Sequence, residues 1–283
     1  MNDPNSQHVL VVGGGTMGAG IAQNLVQIGC PVTVRETSPE AAEAALARVT
    51  EGLNRAHRKA DDPASLVAAD LARLDVVEAL PEAEPSLVIE AVPELVDLKA
   101  AVLAELSERY PTTLLATNTS SLSITDLAAD VSAPERFIGM HFFNPVPVSS
   151  LVELVVGEAT DGATVDSSKQ WVERLDKTAI VVNDSPGFAT SRLGLALGLE
   201  AIRMVEQGVA DPEDIDRGME LGYKHPMGPL RLTDLVGLDV RLGIAEHLAA
   251  TLGPRFEPPD LLRQMVADGK LGRKSGQGFY SWS

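Results

Sequence analysis

His8-Val9-Leu10-Val11-Val12-Gly13-Gly14-Gly15-Thr16-Met17-Gly18 is an apolar run that passes directly into a glycine turn. Val9 to Val12, bounded by turn residues, reads as a short strand. Ile21, Leu25 and Ile28 then recur at helical spacing until Gly29 stops the helix. A second strand, Val32-Thr33-Val34-Arg35-Glu36, ends in an acid. Strand, glycine turn, helix, strand and acid in this order make a dinucleotide-binding unit. Gly13 permits the tight turn, Gly15 lets the backbone approach a pyrophosphate, and Gly18 lets the helix pack on the strand. Thr16 and Met17 open the helix, whose free amides and positive dipole end suit phosphates. Glu36 follows Gly13 at close to the ~20-residue spacing of a ribose-binding acid. Its carboxylate would accept from a ribose 2′-hydroxyl and repel a 2′-phosphate, which favours NAD over NADP. Arg35 could serve a phosphate, but strand alternation is expected to point it away from whatever Glu36 faces.

Pro39 to Lys59 is alanine-rich and helical, closing on Arg55, His57, Arg58 and Lys59. This basic cluster suits a phosphate, or simply a solvated helix end favoured by the dipole. Asp61-Asp62-Pro63 breaks the helix, and a shorter one is expected over 64–72. Further strands read as 75–77, 86–91 and 113–117. A helix over 94–109 would put Leu95, Leu98, Val102 and Leu106 on one face. Asn118-Thr119-Ser120-Ser121 follows a strand, where an open parallel sheet faces its ligand crevice. Its hydroxyls could donate to a ligand or cap the next helix.

The second chemical landmark is Gly139-Met140-His141-Phe142-Phe143-Asn144-Pro145-Val146-Pro147. Histidine at a strand end, ahead of a loop stiffened by two prolines, suits proton transfer near neutral pH. Glu153 follows within the aliphatic run Leu151 to Val156, where a buried carboxylate needs a partner. His141 could be that partner, giving a carboxylate-oriented general base. Taken alone, the pair reads equally as a core histidine and a solvated edge glutamate. A helix around 163–175 and a strand over 178–182 close this part, and Asn183-Asp184-Ser185-Pro186-Gly187 punctuates the chain.

From Phe188 the pattern is helical only, over about 188–207, 212–221, 228–251 and 258–268, before a glycine-rich basic tail, Gly272 to Tyr280. The fold class expected is α/β: a Rossmann-type dinucleotide-binding domain over residues 1–183, then a smaller all-α domain over 184–283. His225, beside Pro226 and Pro229, reads as a turn histidine.

A formal net charge of −17 argues against nucleic acid or an anionic membrane as partner. Cys30 is the only cysteine, so internal disulfides and cysteine-rich metal sites are excluded. The stretch from Met1 to Gln7 is polar without an apolar signal core, and no apolar run approaches the ~20 residues of a membrane span. A cytoplasmic protein without a metal is expected.

Seven motifs in order then carry a resemblance: Gly13–Gly18, Glu90-Ala91-Val92-Pro93-Glu94, Asn118–Ser121, His141–Pro147, Ser185–Phe188, His225–Pro229 and Gly272–Tyr280. Over nearly its whole length the chain resembles the NAD-dependent L-3-hydroxyacyl-CoA dehydrogenases, the 3-hydroxybutyryl-CoA dehydrogenases in particular. The resemblance implies a catalytic dyad of His141 and Glu153, with Ser120 touching substrate and Ser191 standing where the family usually has asparagine. It implies cofactor contacts from Glu94, Lys99, Ser120, Asn144 and Lys274, a CoA-phosphate contact from Lys59, and a homodimer formed through the helical part. Two further departures are Ser149-Ser150, where the family often has Met-Lys, and Gly52, where it has serine. Two other readings stand beside this one. The same chemistry could act on a hydroxyacyl group held by an acyl carrier protein, as in relatives from polyketide extender-unit pathways. The chain could also be an idle dinucleotide-binding or structural relative, like certain lens crystallins, although such a protein would be expected to have lost the dyad.

Overall fold

The computed structural model of the chain describes residues 7–282; residues 1–6, which hold most of the polar N-terminal stretch, and Ser283 lie outside the described residues. Its first unit mixes strands and helices along the chain. They are β1 (Val9–Val12), α1 (Thr16–Gln27), β2 (Val32–Arg35), α2 (Pro39–His57), α3 (Pro63–Leu71), β3 (Leu74–Val77), β4 (Leu87–Glu90) and α4 (Val96–Arg109). Then come β5 (Leu114–Thr117), a single-turn α5 (Ile124–Leu127), β6 (Phe137–Phe142), β7 (Leu151–Val156), α6 (Gly162–Arg174) and β8 (Thr178–Asn183). Among the described residues the strands form one sheet in the order β3-β2-β1-β4-β5-β6-β7-β8. The first six positions are parallel and doubly wound from β1, the arrangement that leaves a crevice at the strand ends. β7 runs antiparallel to β6, and β8 is parallel to β7.

Local sequence sets these boundaries. Ser38 caps α2 by accepting from the Ala41 amide at 3.2 Å, with Pro39 in the first turn. Asp62 does the same for α3 through Ser65, and Asp161 for α6 through Thr164. Ile21 and Leu25 of α1 are fully buried against Val9, Val11, Val32 and Val34 in one continuous core. Each such side chain contributes about 1.5–3 kcal/mol through burial. Met140, Phe142, Val152 and Leu154 belong to that same core. Alternation therefore turns His141 and Glu153, which lie between them in sequence, to the opposite face of the sheet.

The expected face of α4 is corrected. Leu95 and Leu98 are 61% and 37% exposed, and the buried stripe is Lys99, Val102, Leu103 and Leu106. Lys99 enters this stripe because an acid on the adjoining strand receives it, an attraction that hydrophobic spacing cannot register.

The chain divides into two compact units, Met1–Asp184 and Ser185–Ser283. The second contains α7 (Thr190–Glu206), α8 (Pro212–Gly222), α9 (Pro229–Val236), α10 (Leu238–Leu252) and α11 (Asp260–Ala267) around its own apolar core. The single helix expected over 228–251 is two helices. Gly237 adopts φ +104° between them, a left-handed conformation that interrupts the helical run. Asp234, buried at the end of α9, accepts from the Phe279 and Tyr280 amides and the Trp282 indole, and so anchors the tail.

Candidate active site

A cavity of about 830 Å³ runs along the carboxyl ends of β1, β2, β4, β5 and β6. Gly13, Gly15, Thr16, Met17 and Glu36 line it, as do Glu94, Ser120, His141 and Asn144. From β2 to β6 is four strand steps, roughly 19 Å at ~4.8 Å each. Glu36 can thus hold one end of an extended dinucleotide while His141 meets the other.

The glycine turn has the shape its sequence implies. Gly13 has φ +96°, and a Cβ there would lie 2.8 Å from the Ala91 carbonyl oxygen. A Cβ on Gly18 would lie 1.8 Å from the Gly13 carbonyl oxygen, so α1 could not seat on the turn. At Gly15 a Cβ would meet no protein atom within 4 Å. The space it faces is open, as a pyrophosphate requires. Glu36 Oε1 accepts from the Gly14 amide at 2.6 Å and Oε2 from the Thr37 amide at 3.3 Å. Arg35 lines the same cavity, against expectation. Glu36 stands one residue beyond the end of β2, where strand alternation no longer governs direction.

Buried charge organises the middle of the crevice. Glu90, at the end of β4 and 0% exposed, accepts from Lys99 Nζ at 2.8 and 3.0 Å, the Val92 amide at 2.7 Å and the Thr117 hydroxyl at 2.6 Å. Lys99 also donates to the Val92 carbonyl and lies 3.4 Å from Glu94. It does not line the cavity; it supports residues that do. Glu94 Oε1 faces five donors: the Thr119 hydroxyl at 2.6 Å, the Ser120 amide at 2.8 Å, the Ser121 amide and hydroxyl at 3.2 Å, and the Ser120 hydroxyl at 3.3 Å. One carboxylate oxygen cannot satisfy five, and the Ser120 hydroxyl, the most distant, is the cheapest to release toward a ligand. Burial pushes the Glu94 carboxyl up, but the Thr119 hydroxyl, the Lys99 charge and the Ser120 amide together hold it below its ordinary value.

His141 and Glu153 are directly opposed across the antiparallel β6–β7 seam. His141 Nδ1 lies 2.9 Å from Glu153 Oε2, with the histidine 7% and the glutamate 0% exposed. Phe143 packs at 4.4 Å between ring centroids from the imidazole. Asn118 Oδ1 accepts from the Phe142 amide at 2.9 Å, tying the end of β5 to the strand that carries His141. Asn144 precedes a cis peptide to Pro145. Sequence reasoning missed Glu90 and Asn118 as organisers of the site. A lysine on an otherwise apolar helix face was the available signal for Glu90.

The remaining candidates lie elsewhere in their units. Within the basic cluster, Arg55 pairs with Glu51 and His57 with Asp70, while Arg58 and Lys59 are exposed just past α2. Ser191 stands in the first turn of α7, and Lys274 pairs with Asp239 at 2.5 Å, both in the second unit. His225 is half-buried, and its amide donates to the Met219 carbonyl.

Residues 8–185 match the family described as 3-hydroxyacyl-CoA dehydrogenase, NAD binding domain, and residues 187–282 match 3-hydroxyacyl-CoA dehydrogenase, C-terminal domain. The chain belongs to the 3-hydroxyacyl-CoA dehydrogenase family. It is 44% identical over 279 residues to a probable 3-hydroxybutyryl-CoA dehydrogenase of Bacillus subtilis (strain 168), covering 98% of this chain and 97% of that protein. A probable 3-hydroxybutyryl-CoA dehydrogenase of Deinococcus radiodurans is 41% identical over 278 residues, 96% of this chain and 99% of its own. The crystal structure of (S)-3-hydroxybutyryl-CoA dehydrogenase from Ralstonia eutropha superposes with a TM-score of 0.93 at 41% identity, over 98% of this chain and 99% of that one.

As a 3-hydroxyacyl-CoA dehydrogenase the protein is an oxidoreductase, and NAD is its cofactor. The open face of Gly15 and the fixed carboxylate of Glu36 fit that group. One departure from the family has a packing reason. A Cβ at Gly52 would lie 2.1 Å from Gln23 Oε1, so the buried Gln23 amide fills the space a serine there would need. Among the described residues no cluster of three or more histidine, cysteine or acidic side chains could hold a metal, and no helix is long and apolar enough to cross a membrane.

Proposed function

We propose that the protein interconverts a short-chain L-3-hydroxyacyl-CoA, of 3-hydroxybutyryl type, and the corresponding 3-ketoacyl-CoA, with His141 as general base and acid. The observation that carries this reading is the buried His141–Glu153 pair, whose histidine lines the dinucleotide crevice. With Nδ1 committed to Glu153, proton exchange with substrate falls to Nε2. Glu153, as a carboxylate, accepts the Nδ1 proton and so leaves the Nε2 lone pair for the substrate. In oxidation Nε2 takes the 3-hydroxyl proton, and Glu153 stabilises the resulting imidazolium. NAD, when bound, accepts the hydride from the same carbon. Ser120 donates to the substrate oxygen as its charge changes. In reduction the imidazolium returns the proton.

The short acyl chain is supported by the 3-hydroxybutyryl-CoA relatives. Lys59, exposed beside Arg58, is assigned to the CoA phosphate. The helical unit presents Leu193, Leu232, Leu235, Val236 and Val240 to solvent, which suits a homodimer built on that unit; sedimentation at micromolar concentration checks it. The enzyme is assigned to the cytoplasm.

The deciding assay follows NADH consumption with acetoacetyl-CoA, acetoacetyl-pantetheine and an acetoacetyl carrier protein. Turnover should be most efficient with the CoA ester, and Lys59→Ala should raise KM for that ester alone. Turnover confined to the carrier-bound substrate would move the assignment to carrier chemistry.

A further inference from the structure

The loop between β6 and β7 carries two residues of the site and is gripped by contacts from other elements. At its start Phe143 packs on the His141 imidazole, and Asn144 lines the crevice. Val146, 2% exposed, seats on α1 at Gly20, where a Cβ would lie 2.9 Å from the valine Cβ. Gly20 is about one helical turn along from Thr16, which also lines the crevice. A second grip comes from Lys177, between the end of α6 and the start of β8. Its Nζ donates to the Val146 carbonyl at 2.8 Å and to the Ser149 carbonyl at 2.6 Å. Among the described residues no backbone amide donates to either carbonyl, whereas the Pro145 carbonyl takes the Val148 and Ser149 amides. Lys177 has a firm base of its own. Its amide donates to the Val172 carbonyl at 3.1 Å, and the next amide, of Thr178, to the Ser150 carbonyl at 2.6 Å. Burial pushes the half-buried ammonium down from its ordinary value, and the Asp176 charge opposes this.

We infer that Lys177 is a positioning residue of the active site: by gathering the Val146 and Ser149 carbonyls it fixes the loop that sets Phe143 against the imidazole and Asn144 in the crevice. The inference rests on His141 as the base. Residues 143–150 contain no helix or strand, so the shape of the loop depends on contacts of this kind. An ammonium has three donors and its hydrogen bonds are charge-assisted, which lets one side chain hold two carbonyls at once. Removing it would leave the buried Val146 carbonyl without a donor and release the loop where it meets the imidazole. Reaction rate is sensitive to such a release, since a displacement of ~1 Å at the reacting centre can cost ~10²-fold.

The test measures acetoacetyl-CoA reduction by the full chain, with turnover referred to the number of sites that bind ADP-ribose in calorimetry. ADP-ribose needs the glycine turn and Glu36 but not the loop, so it counts folded cofactor sites. Lys177→Met keeps the length of the stem and removes the donors. It should lower kcat per site by about tenfold or more, with ADP-ribose affinity within about twofold of wild type. Lys177→Ala should show the same loss, and propylammonium, which replaces the missing stem and charge, should raise its kcat severalfold. The same amine should leave Lys177→Met unmoved, because the methionine fills the space. A purely structural lysine would change the number of sites and not the turnover at each. Wild-type turnover per site in Lys177→Met, or a loss in Lys177→Ala that propylammonium does not relieve, overturns the inference. His141→Gln assayed alongside separates the failures. If it turns over like wild type, the base reading falls and this inference with it. If it is crippled while Lys177→Met is not, the inference alone falls.

Discussion

Glu90 at the end of β4 and Glu153 in β7 are both 0% exposed, and each faces a side chain that can carry positive charge. They belong to one sheet and lie near one crevice, yet their partners give them opposite work. Glu90 meets a lysine, a donor-only group, and adds an amide and a hydroxyl that close the arrangement. Nothing in that cluster needs to move when substrate changes. Glu153 meets an imidazole, the side chain whose ordinary titration lies near neutrality. Burial of a carboxylate thus says little about its purpose, and the partner decides between a fixed clamp and a proton relay.

The largest effect should come from breaking the relay. His141→Gln should lower kcat by about 10²–10⁴ while NADH binding and the unfolding midpoint change little. Glu153→Gln should also lower kcat, and the double variant should fall little further, because both residues serve one proton transfer. Near-wild-type turnover in His141→Gln would place the base elsewhere.

Breaking the clamp should reverse the pattern. Lys99→Met leaves Glu90 buried beside Glu94 without its counter-charge, and should cost about 3–5 kcal/mol in urea unfolding. Lys99→Met with Glu90→Gln should recover much of that loss. If the two single changes simply add, the pair is not the unit described here.

A third buried charge sharpens the contrast from the other side. Arg241 in α10 is 6% exposed, and its Nε has no hydrogen-bond partner among the described residues. Burial pushes its guanidinium down to about 10. A base with a lowered folded value destabilises in full below that value, so the cost is present at neutral pH. Arg241→Met should therefore stabilise the protein, by about 1–3 kcal/mol in the same unfolding experiment.

The smallest effect concerns Glu94, whose carboxyl is held below its ordinary value of 4.5. A carboxylate lowered on folding stabilises fully above the ordinary value and loses that contribution as pH falls through the lowered one. The gap in unfolding midpoint between wild type and Glu94→Gln, present at pH ~7, should narrow as acid titrates Glu94. A constant gap would mean that shape, not charge, holds the Thr119–Ser121 loop.

The residues that were legible in the sequence are those whose partners are close in sequence or fixed by a motif. Gly13, Gly18 and Glu36 belong to one strand–turn–helix–strand unit, and spacing alone located the turn and its acid. His141 and Glu153 were legible as a candidate pair because aliphatic runs made both strands visible. The clamp was not, because Glu90 and Lys99 meet only after a strand and a helix have packed, and spacing assigned the helix face by its leucines. The direction of Arg35 is not legible because alternation does not extend one residue past the strand to Glu36. The break within 228–251 is not legible because glycine alone does not announce a left-handed backbone at Gly237.

Placing the base and its carboxylate on facing strands has a consequence for how this enzyme can vary. The alignment of β6 with β7 behaves as a switch and not as a dial. A slip of one residue would send Glu153 to the far side of the sheet and bring Val152 or Leu154 opposite His141. The segment between the strands, residues 143–150, is tied to the site at its start, where Phe143 packs on the imidazole and Asn144 lines the crevice, while the Ser149-Ser150 departure falls at its far end. What the enzyme cannot vary is the pairing itself, which the buried face of Met140, Phe142, Val152 and Leu154 holds in place.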